Sequence, residues 1–427
     1  MRVCAVSYHS CPYAFLGGEA AGGMSVYLKE LLSILAGYKG VDIDIFTRTQ
    51  DIHRKKVREM EDSLRVIHIN SGPPQPLDRT KLFPHIPEFM QNVEKFMSGE
   101  KQKYDIIYSH YWLSGLVGEW IRLNYSVPLV HTYHTLQYFK GRVLGGENDE
   151  IRKMAEEHIS KVADTIISSS AQERHFLVDM AGVEPDKCRL IHPGVNPLVF
   201  HPAEGEGVNE EIGSGKEKLA MIYVGRIEPI KGLAAVVDIL NILRRRSPAV
   251  YERFKMVVVG GGRIDGDFQT NEEIALIKSR LDEQNMSDKM QFLGSRKQEE
   301  LSKYYSAADA LFFPTLYESF GLVMGEAMAC GTPVLASKIG EMSAFIVEGK
   351  NGFTFAAEDP SAAADAIILF DRKKASLWKG EMIRRHILKK LSWEKTAEKV
   401  YKEFKKLKNV RPEPTTISLH DENLQPI

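Results

Sequence analysis

The sequence predicts an α/β protein made of two Rossmann-like, doubly wound parallel-sheet domains facing a central cleft. Three observations carry that expectation. Short apolar runs rich in Val, Ile, Phe and Tyr alternate with stretches of helical spacing along most of the chain. Those runs are nearly continuous rather than alternating, as strands are when helices cover both faces of a sheet. The plan then stops at residues 191–218, a stretch rich in Pro, Gly and charge, and begins again.

In the first half the strand-like runs are "RVCAVSYH", "VDIDIFTR", "LRVIHIN", "YDIIYSH", "PLVHTYH" and "DTIISSS". Between them Val26, Leu28, Leu31, Leu32 and Leu35 fall on one helical face, as do Ile86, Phe89, Val93 and Phe96. The second half reads "LAMIYVGR", the helical "GLAAVVDILNILRRR", "KMVVVGGG", a helix from about Asn271, "KMQFLGS", another helix, "ALFFPT" and "TPVLAS". Beyond Leu391, "SWEKTAEKVYKEFKKL" has helical spacing. The expected organisation is residues 1–195, residues 196–390, a helix over 391–410 crossing back to the first domain, and a disordered tail over 411–427.

Composition excludes several classes of function. Fifty-six Lys and Arg against 57 Asp and Glu leave a net charge of −1, so the overall balance favours neither nucleic acid nor an anionic membrane. Cys4, Cys11, Cys188 and Cys330 are scattered and form no C-x-x-C pair. That usage fits a reduced, cytoplasmic compartment, with no disulfide framework and no zinc knuckle. No apolar signal-peptide region opens the chain, and no window approaches the length of a membrane-spanning helix.

The residues suited to chemistry lie where strands end and helices begin, where free N–H groups and a partial positive charge favour anions. The first such place is "FLGGEAAGGMSVYLKEL", where Gly22 and Gly23 let backbone amides approach an anion; the alternative is a flexible turn. It is not a P-loop, because the Gly215-Lys216 pair has Glu210 where the upstream glycine belongs. The second is "VGRIEPIKG", where Arg226 and Lys231 suit a diphosphate as a guanidinium fork and a point charge, or are two solvated cations. The third is "PTLYESFGLVMGEAMACGTPV", with Ser319 as expected helix cap and Gly321 starting the helix. Glu318 and Glu326 can hold hydroxyls at two ends of an elongated ligand, and the amides near Phe320, Gly321 and Leu322 can face its phosphates. A sugar nucleotide has its parts in that order. A glycosidase carboxylate pair is disfavoured, because one glutamate lies within a helix and phosphate-ready loops would serve nothing.

Together "VGRIEPIKG" and "YESFGLVMGEAMACGTPV" resemble the donor site of the family-4 retaining glycosyltransferases of GT-B fold, with their E-x7-E motif. "GGMSVYLKEL", "YDIIYSHYWLSG", "HTYHTL" and "HPGVN" extend the likeness over nearly the whole chain before the tail. Within the family it is greatest to the mycothiol-pathway members that glycosylate inositol phosphate, with sucrose-phosphate synthases second. The resemblance implies that Glu318 holds donor-sugar hydroxyls and Glu326 the ribose. It places Arg226, Lys231 and the Gly22 and Gly23 amides on the diphosphate, Arg296 against the uracil and His134 beside the sugar. Arg79, Tyr111, Thr135 and Arg152 fall where members with phosphorylated acceptors bind the phosphate. Ser25 stands where the mycothiol-type pattern has Asn, and Met24 where sucrose-phosphate synthases have Gln, so the acceptor stays open.

The resemblance thus implies UDP-sugar-dependent transfer of GlcNAc or glucose to a small phosphorylated acceptor, with retention and with Arg226, Lys231, Glu318 and His134 at the reacting centre. No cofactor or metal is expected: His131 and His134, read as one strand, point to opposite faces, and Asp42, Asp44 and the Asp265 triplet make no metal motif. A non-catalytic sugar-nucleotide binder, a phosphorylase or epimerase and a lipid mannosyltransferase are the rival readings. The last needs a basic apolar helix at the cleft mouth, for which "IPEFMQNVEKFM" carries too little charge. The expected partners are small molecules and, since relatives often dimerise, a second copy of the chain.

Overall fold

The computed structural model describes residues 1–13, 22–51, 53, 55–100, 103–144, 149–204, 207–213, 215, 217–261 and 272–410. Most of the glycine-rich loop before Gly22, Lys216, the Asp265 triplet and the tail over 411–427 lie outside the described residues.

The first sheet has eight strands: β1 (Arg2–Val6), β2 (Asp42–Arg48), β3 (Val57–Glu61), β4 (Leu64–Ile69), β5 (Ile106–His110), β6 (Leu129–Thr132), β7 (Thr165–Ser168) and β8 (Cys188–Leu190). Their spatial order is β3-β4-β2-β1-β5-β6-β7-β8. The second has six: β9 (Leu219–Val224), β10 (Phe254–Val259), β11 (Met290–Gly294), β12 (Ala310–Phe313), β13 (Val334–Ser337) and β14 (Gly352–Phe355), ordered β11-β10-β9-β12-β13-β14. All pairings are parallel except β3 with β4.

That antiparallel edge is an addition to the expected parallel-sheet plan, which holds for the other pairings. "VREME" is charged and half-exposed, so it shows no apolar run; it exists because a tight turn folds it onto β4. β8 and β14 go unmarked in the sequence for a different reason: each spans only three or four residues.

Strand burial on both faces explains the continuous apolar runs. Along β1, Val3 and Ala5 enter one core while Cys4 and Val6 enter the other. Along β9, Leu219, Met221 and Tyr223 go to one side and Ile222 and Val224 to the opposite one. In each sheet the chain first builds outward from the opening strand and then returns to its other flank, from β1 to β5 and from β9 to β12. The crevices beyond β1/β5 and β9/β12 are where such sheets bind ligands.

The helix Trp393–Leu407 belongs to the first domain's core although it ends the described chain. Ser392 caps it, and its strongly one-sided apolar face packs on the helix Gly23–Ala36. Ring centroids lie 5.4 Å apart for Tyr27 and Trp393, 4.9 Å for Tyr38 and Tyr401, and 5.3 Å for Tyr108 and Phe404. Fully burying a large apolar side chain such as Phe404 contributes roughly 1.5–3 kcal/mol of transfer free energy.

The second domain is therefore joined to the first by two chain crossings, and these touch. Thr396 Oγ1 donates to the His192 carbonyl at 2.7 Å. A Cβ on Gly194 would sit 2.1 Å from the Trp393 nitrogen, closer than any contact atoms can approach. Gly194→Ala is expected to destabilise the protein by about 1–3 kcal/mol, the range for forced overpacking. Urea unfolding measures this, and an unchanged midpoint would show that the two crossings do not press on each other.

Candidate active site

The second domain's wall comes from the loops after β9 and β12. They are stitched together: the Leu316 N–H donates to the Ile230 carbonyl at 2.9 Å, and Lys231 Nζ donates to Glu318 Oε2 at 2.8 Å. Glu318 is thus held by the loop that carries the two cations. Arg226 is half-exposed and ion-paired with Glu228 two residues along. Arg296, on the loop after β11, is half-buried; Nε donates to the Tyr304 hydroxyl at 3.0 Å, and Nη2 lies 3.3 Å from Glu211.

The third motif differs from its reading in one respect. The helix runs Leu322–Ala329, and its cap is Gly321, not Ser319. Gly321 has φ 93°, a backbone that serine adopts only under strain. Ser319 Oγ instead donates to the backbone carbonyl of His134 on the first domain. Phe320 is buried, and the leading amides of Leu322 and Val323 have no acceptor within the helix. Glu326 lies in the second turn, 7% exposed, with the Tyr305 hydroxyl donating to its Oε2 at 3.0 Å. Burial pushes its carboxyl up to about 7, against the opposing pull of the Tyr305 hydrogen bond.

Facing it, Gly22 caps the helix Gly23–Ala36 in extended backbone. A Cβ on Gly23 would lie 3.7 Å from Leu322 Cδ1, so the two helix N-termini approach each other across one cleft. Ser25 is fully buried, its hydroxyl 2.8 Å from that of Ser10.

Arg79, Tyr111, Thr135 and Arg152, remote in sequence, converge. Arg152 lies on the helix Glu150–Val162 with its guanidinium 4.9 Å from the Tyr111 ring centroid. Its Nη2 donates to both Thr135 Oγ1 and the Thr135 carbonyl at 2.9 Å, and its Nε to Glu156 at 2.6 Å. Tyr111 directly follows β5 at φ 74°, a strained backbone for a bulky residue and of the kind that gathers at functional sites. Arg79, in the turn Arg79–Lys81, has its pKa depressed first by burial and then by the positive charge of Arg226; Tyr111 and Glu228 oppose the shift, and Arg152 adds to it. The two groups read separately from sequence, donor-side and acceptor-side cations, are electrostatic neighbours.

His134 does not lie on a strand. β6 ends at Thr132, and His134 follows at φ 63° with Nε2 3.1 Å from His110 Nδ1. His131 stays inside β6, its Nδ1 2.8 Å from Ser109 Oγ. Burial pushes both His131 and His134 down to about 3, so both rings are neutral. Among the described residues no group of three or more His, Cys, Asp or Glu could hold a metal ion. Asp44 is taken by Arg2, Arg65 and Tyr104.

Four residues of the site escaped the sequence reading: His9, His110, Glu228 and Tyr305. Tyr305 and His110 looked like ordinary core positions of a helix and a strand. His9 could have been found, since it follows β1 at the switch point; its ring lies 4.5 Å from Tyr111, with Nδ1 buried and unpartnered.

Glu326 yields a stability prediction. Its native pKa near 7 exceeds the unfolded value of 4.5, so the native state binds more protons and loses stability as pH rises through that window. Glu326→Gln is expected to raise Tm at pH 8 and to have a smaller effect at pH 5. Thermal denaturation at the two pH values tests this; equal shifts would count against a buried ionising carboxylate.

Comparison with known proteins agrees with the geometry. Residues 21–197 match the family described as Glycosyltransferase Family 4, and residues 208–379 match Glycosyl transferases group 1. The chain is 31% identical over 412 residues to a D-inositol 3-phosphate glycosyltransferase of Thermomonospora curvata, covering 93% of this chain and 94% of that protein. The same-named protein of Corynebacterium diphtheriae is 34% identical over 373 residues, covering 86% of each. Among solved structures, sucrose-phosphate synthase from Thermosynechococcus elongatus superposes with a TM-score of 0.85 at 30% identity, over 95% of this chain and 98% of that one. Two facing Rossmann-like domains, phosphate-suited switch points in both and relatives over nearly the full length lead to one conclusion: the chain belongs to the family-4 glycosyltransferases of GT-B fold.

Proposed function

We propose that this glycosyltransferase moves a hexosyl unit, GlcNAc or glucose, from a UDP-sugar to a hydroxyl of a small phosphorylated acceptor, with retention of configuration. One observation carries the reading: Arg79 and Arg152 on one wall and Arg226 on the other bring three guanidiniums to a single cleft, with Glu228 and Glu156 offsetting them only in part. Such crowding is unfavourable unless anions enter it. Two phosphate groups, one on each substrate, relieve it on both sides.

In this reading the donor pyrophosphate lies on Arg226, Lys231 and the amides near Gly22, Gly23 and Leu322. Arg226 leaves Glu228 to reach it. Glu326 accepts from the ribose diol, Glu318 holds sugar hydroxyls, and Arg296 flanks the uracil. The acceptor phosphate takes Arg79, Tyr111, Thr135 and Arg152. The bond between the anomeric carbon and the β-phosphate oxygen breaks, and negative charge grows on UDP. Arg226, once released from Glu228, and Lys231, held at the loop by Glu318, stabilise that charge. The leaving phosphate takes the acceptor proton on the same face as the new bond forms, so no side-chain base and no metal is required. The contact of Ser319 with His134 supports closure of the lobes over the substrates, which limits hydrolysis.

Inositol phosphate is the favoured acceptor because the two glycosyltransferases named above are described as acting on D-inositol 3-phosphate. Fructose 6-phosphate is the second reading, favoured by the superposition on sucrose-phosphate synthase. A panel of UDP-sugars against both acceptors and their unphosphorylated forms decides between them, and equal rates without the phosphate would remove the anion site from the mechanism.

Arg226→Ala is expected to lower kcat about 10²–10³-fold, the scale for one lost charge-stabilising donor. Steady-state kinetics showing less than about a fivefold loss would exclude that role. Arg79→Ala should raise KM for the phosphorylated acceptor about tenfold or more while leaving slow hydrolysis of the UDP-sugar unchanged, since a charged hydrogen bond contributes roughly 1.5–3 kcal/mol. A loss of both activities alike would place Arg79 on the donor instead.

A further inference from the structure

We infer that His110 is a positioning residue that fixes the tautomer of His134, so that His134 presents its Nδ1–H to the cleft. The inference rests on the function proposed above, which sets His134 beside the donor sugar.

His110 is the last residue of β5 and is fully buried. Its Nδ1 lies 3.1 Å from His134 Nε2, and its own Nε2 is buried with no hydrogen-bond partner. The rings are 5.3 Å apart and inclined by 34°. Burial keeps both neutral, so each ring carries one N–H.

Only two proton arrangements make the shared bond. If His134 donated from Nε2, His110 would have to carry its proton on Nε2, leaving an orphaned N–H donor in the core. If His110 donates from Nδ1, its Nε2 is a bare acceptor, and unsatisfied acceptors are tolerated more readily than orphaned N–H groups. The second arrangement is favoured, and it obliges His134 to carry its proton on Nδ1, the nitrogen without a partner among the described residues. The other titratable groups around the pair, Tyr27, Tyr108, His131 and His9, are neutral near pH 7: burial raises both tyrosines and lowers both histidines.

The pair is held in place. The Tyr108 ring lies 4.0 Å from that of His110, and Tyr27 meets His134 edge-on at 5.0 Å. Ser319 holds the His134 backbone carbonyl from the opposite domain. A fixed N–H donor selects the lone pair of a sugar hydroxyl or ring oxygen, whereas an imidazole free to exchange tautomers would present donor and acceptor in turn. His110 thereby acts on the donor sugar without touching it.

The test reads the ring nitrogens directly. Imidazole-labelled protein without substrate is examined by nitrogen-correlated NMR, with His134→Gln identifying the His134 signals. The expected result is an Nδ1–H tautomer at His134; an Nε2–H or charged ring overturns the proposal. In His110→Phe, His134 should become a mixture of tautomers, with kcat roughly tenfold lower, the loss expected for one hydrogen bond, and acceptor KM unchanged. An unchanged His134 spectrum in that variant also overturns it. His110→Asn, whose side-chain amide can donate from nearly the same position, should restore both the tautomer and most of kcat, and failure to do so counts against the mechanism. Should the Phe variant not fold, the wild-type spectrum and the Asn variant still decide. A wild-type protein that transfers from no UDP-sugar overturns the proposed function, while the spectrum alone judges His110.

Discussion

The arrangement depends on one steric constraint: the two chain crossings between the domains must lie against each other. The first passes through Gly194, the second through Ser392 and Trp393, and only a residue without Cβ leaves room for the second to return. Once returned, the helix Trp393–Leu407 buries its apolar face on the first domain. The lobes are thereby set with the carboxyl ends of both sheets opposed. Tyr111, Arg226, Lys231 and Glu318 are then placed by the strand ends they follow, and Arg152 and Glu326 by helices.

With that placement comes an electrostatic imbalance. Glu228, Glu318 and Glu156 each answer one cation, Arg226, Lys231 and Arg152 respectively. No carboxylate ion-paired with Arg79 is found among the described residues, and its electrostatic neighbours are two further guanidiniums and Glu228, which already answers Arg226. On the other side of the nucleotide-suited loops, Glu326 is buried with a tyrosine hydroxyl donating to one of its oxygens. Arg79 is left without an ion partner and Glu326 without a counter-charge among the described residues. Both features cost stability in the free protein, as active sites commonly do.

Contacts across the cleft are individually small, mostly single hydrogen bonds with one aromatic stack, compared with the cores on either side. Ser319 meets the His134 carbonyl, the Ala171 N–H donates to Glu341 at 2.8 Å, Asn196 donates to Glu30 at 2.8 Å, and Phe139 stacks on Tyr317 at 5.7 Å. An interface of this kind can open and close at little cost, whereas the parallel sheets themselves remain rigid. The residues that join the lobes, Ser319 and His134, sit beside those to which the proposed function assigns the substrates, so in that reading closure and site assembly are one event.

By itself the sequence determined the two-sheet architecture, the strand ends at which Arg226, Lys231 and Glu318 lie, and the helix that carries Glu326. These are legible because burial on both faces of a sheet imposes continuous apolar runs, and because glycines and charges at strand-to-helix junctions stand out against them. Tertiary structure alone decided that Arg79, far from Arg226 along the chain, would share its field, that Ser319 would reach His134 rather than cap its own helix, and that His134 would leave the strand to meet His110. The hairpin strand β3 was hidden for a different reason, its charged, half-exposed residues showing no apolar run. Such pairings depend on distance across space and on backbone turns such as φ 63° at His134, and neither leaves a period in the chain.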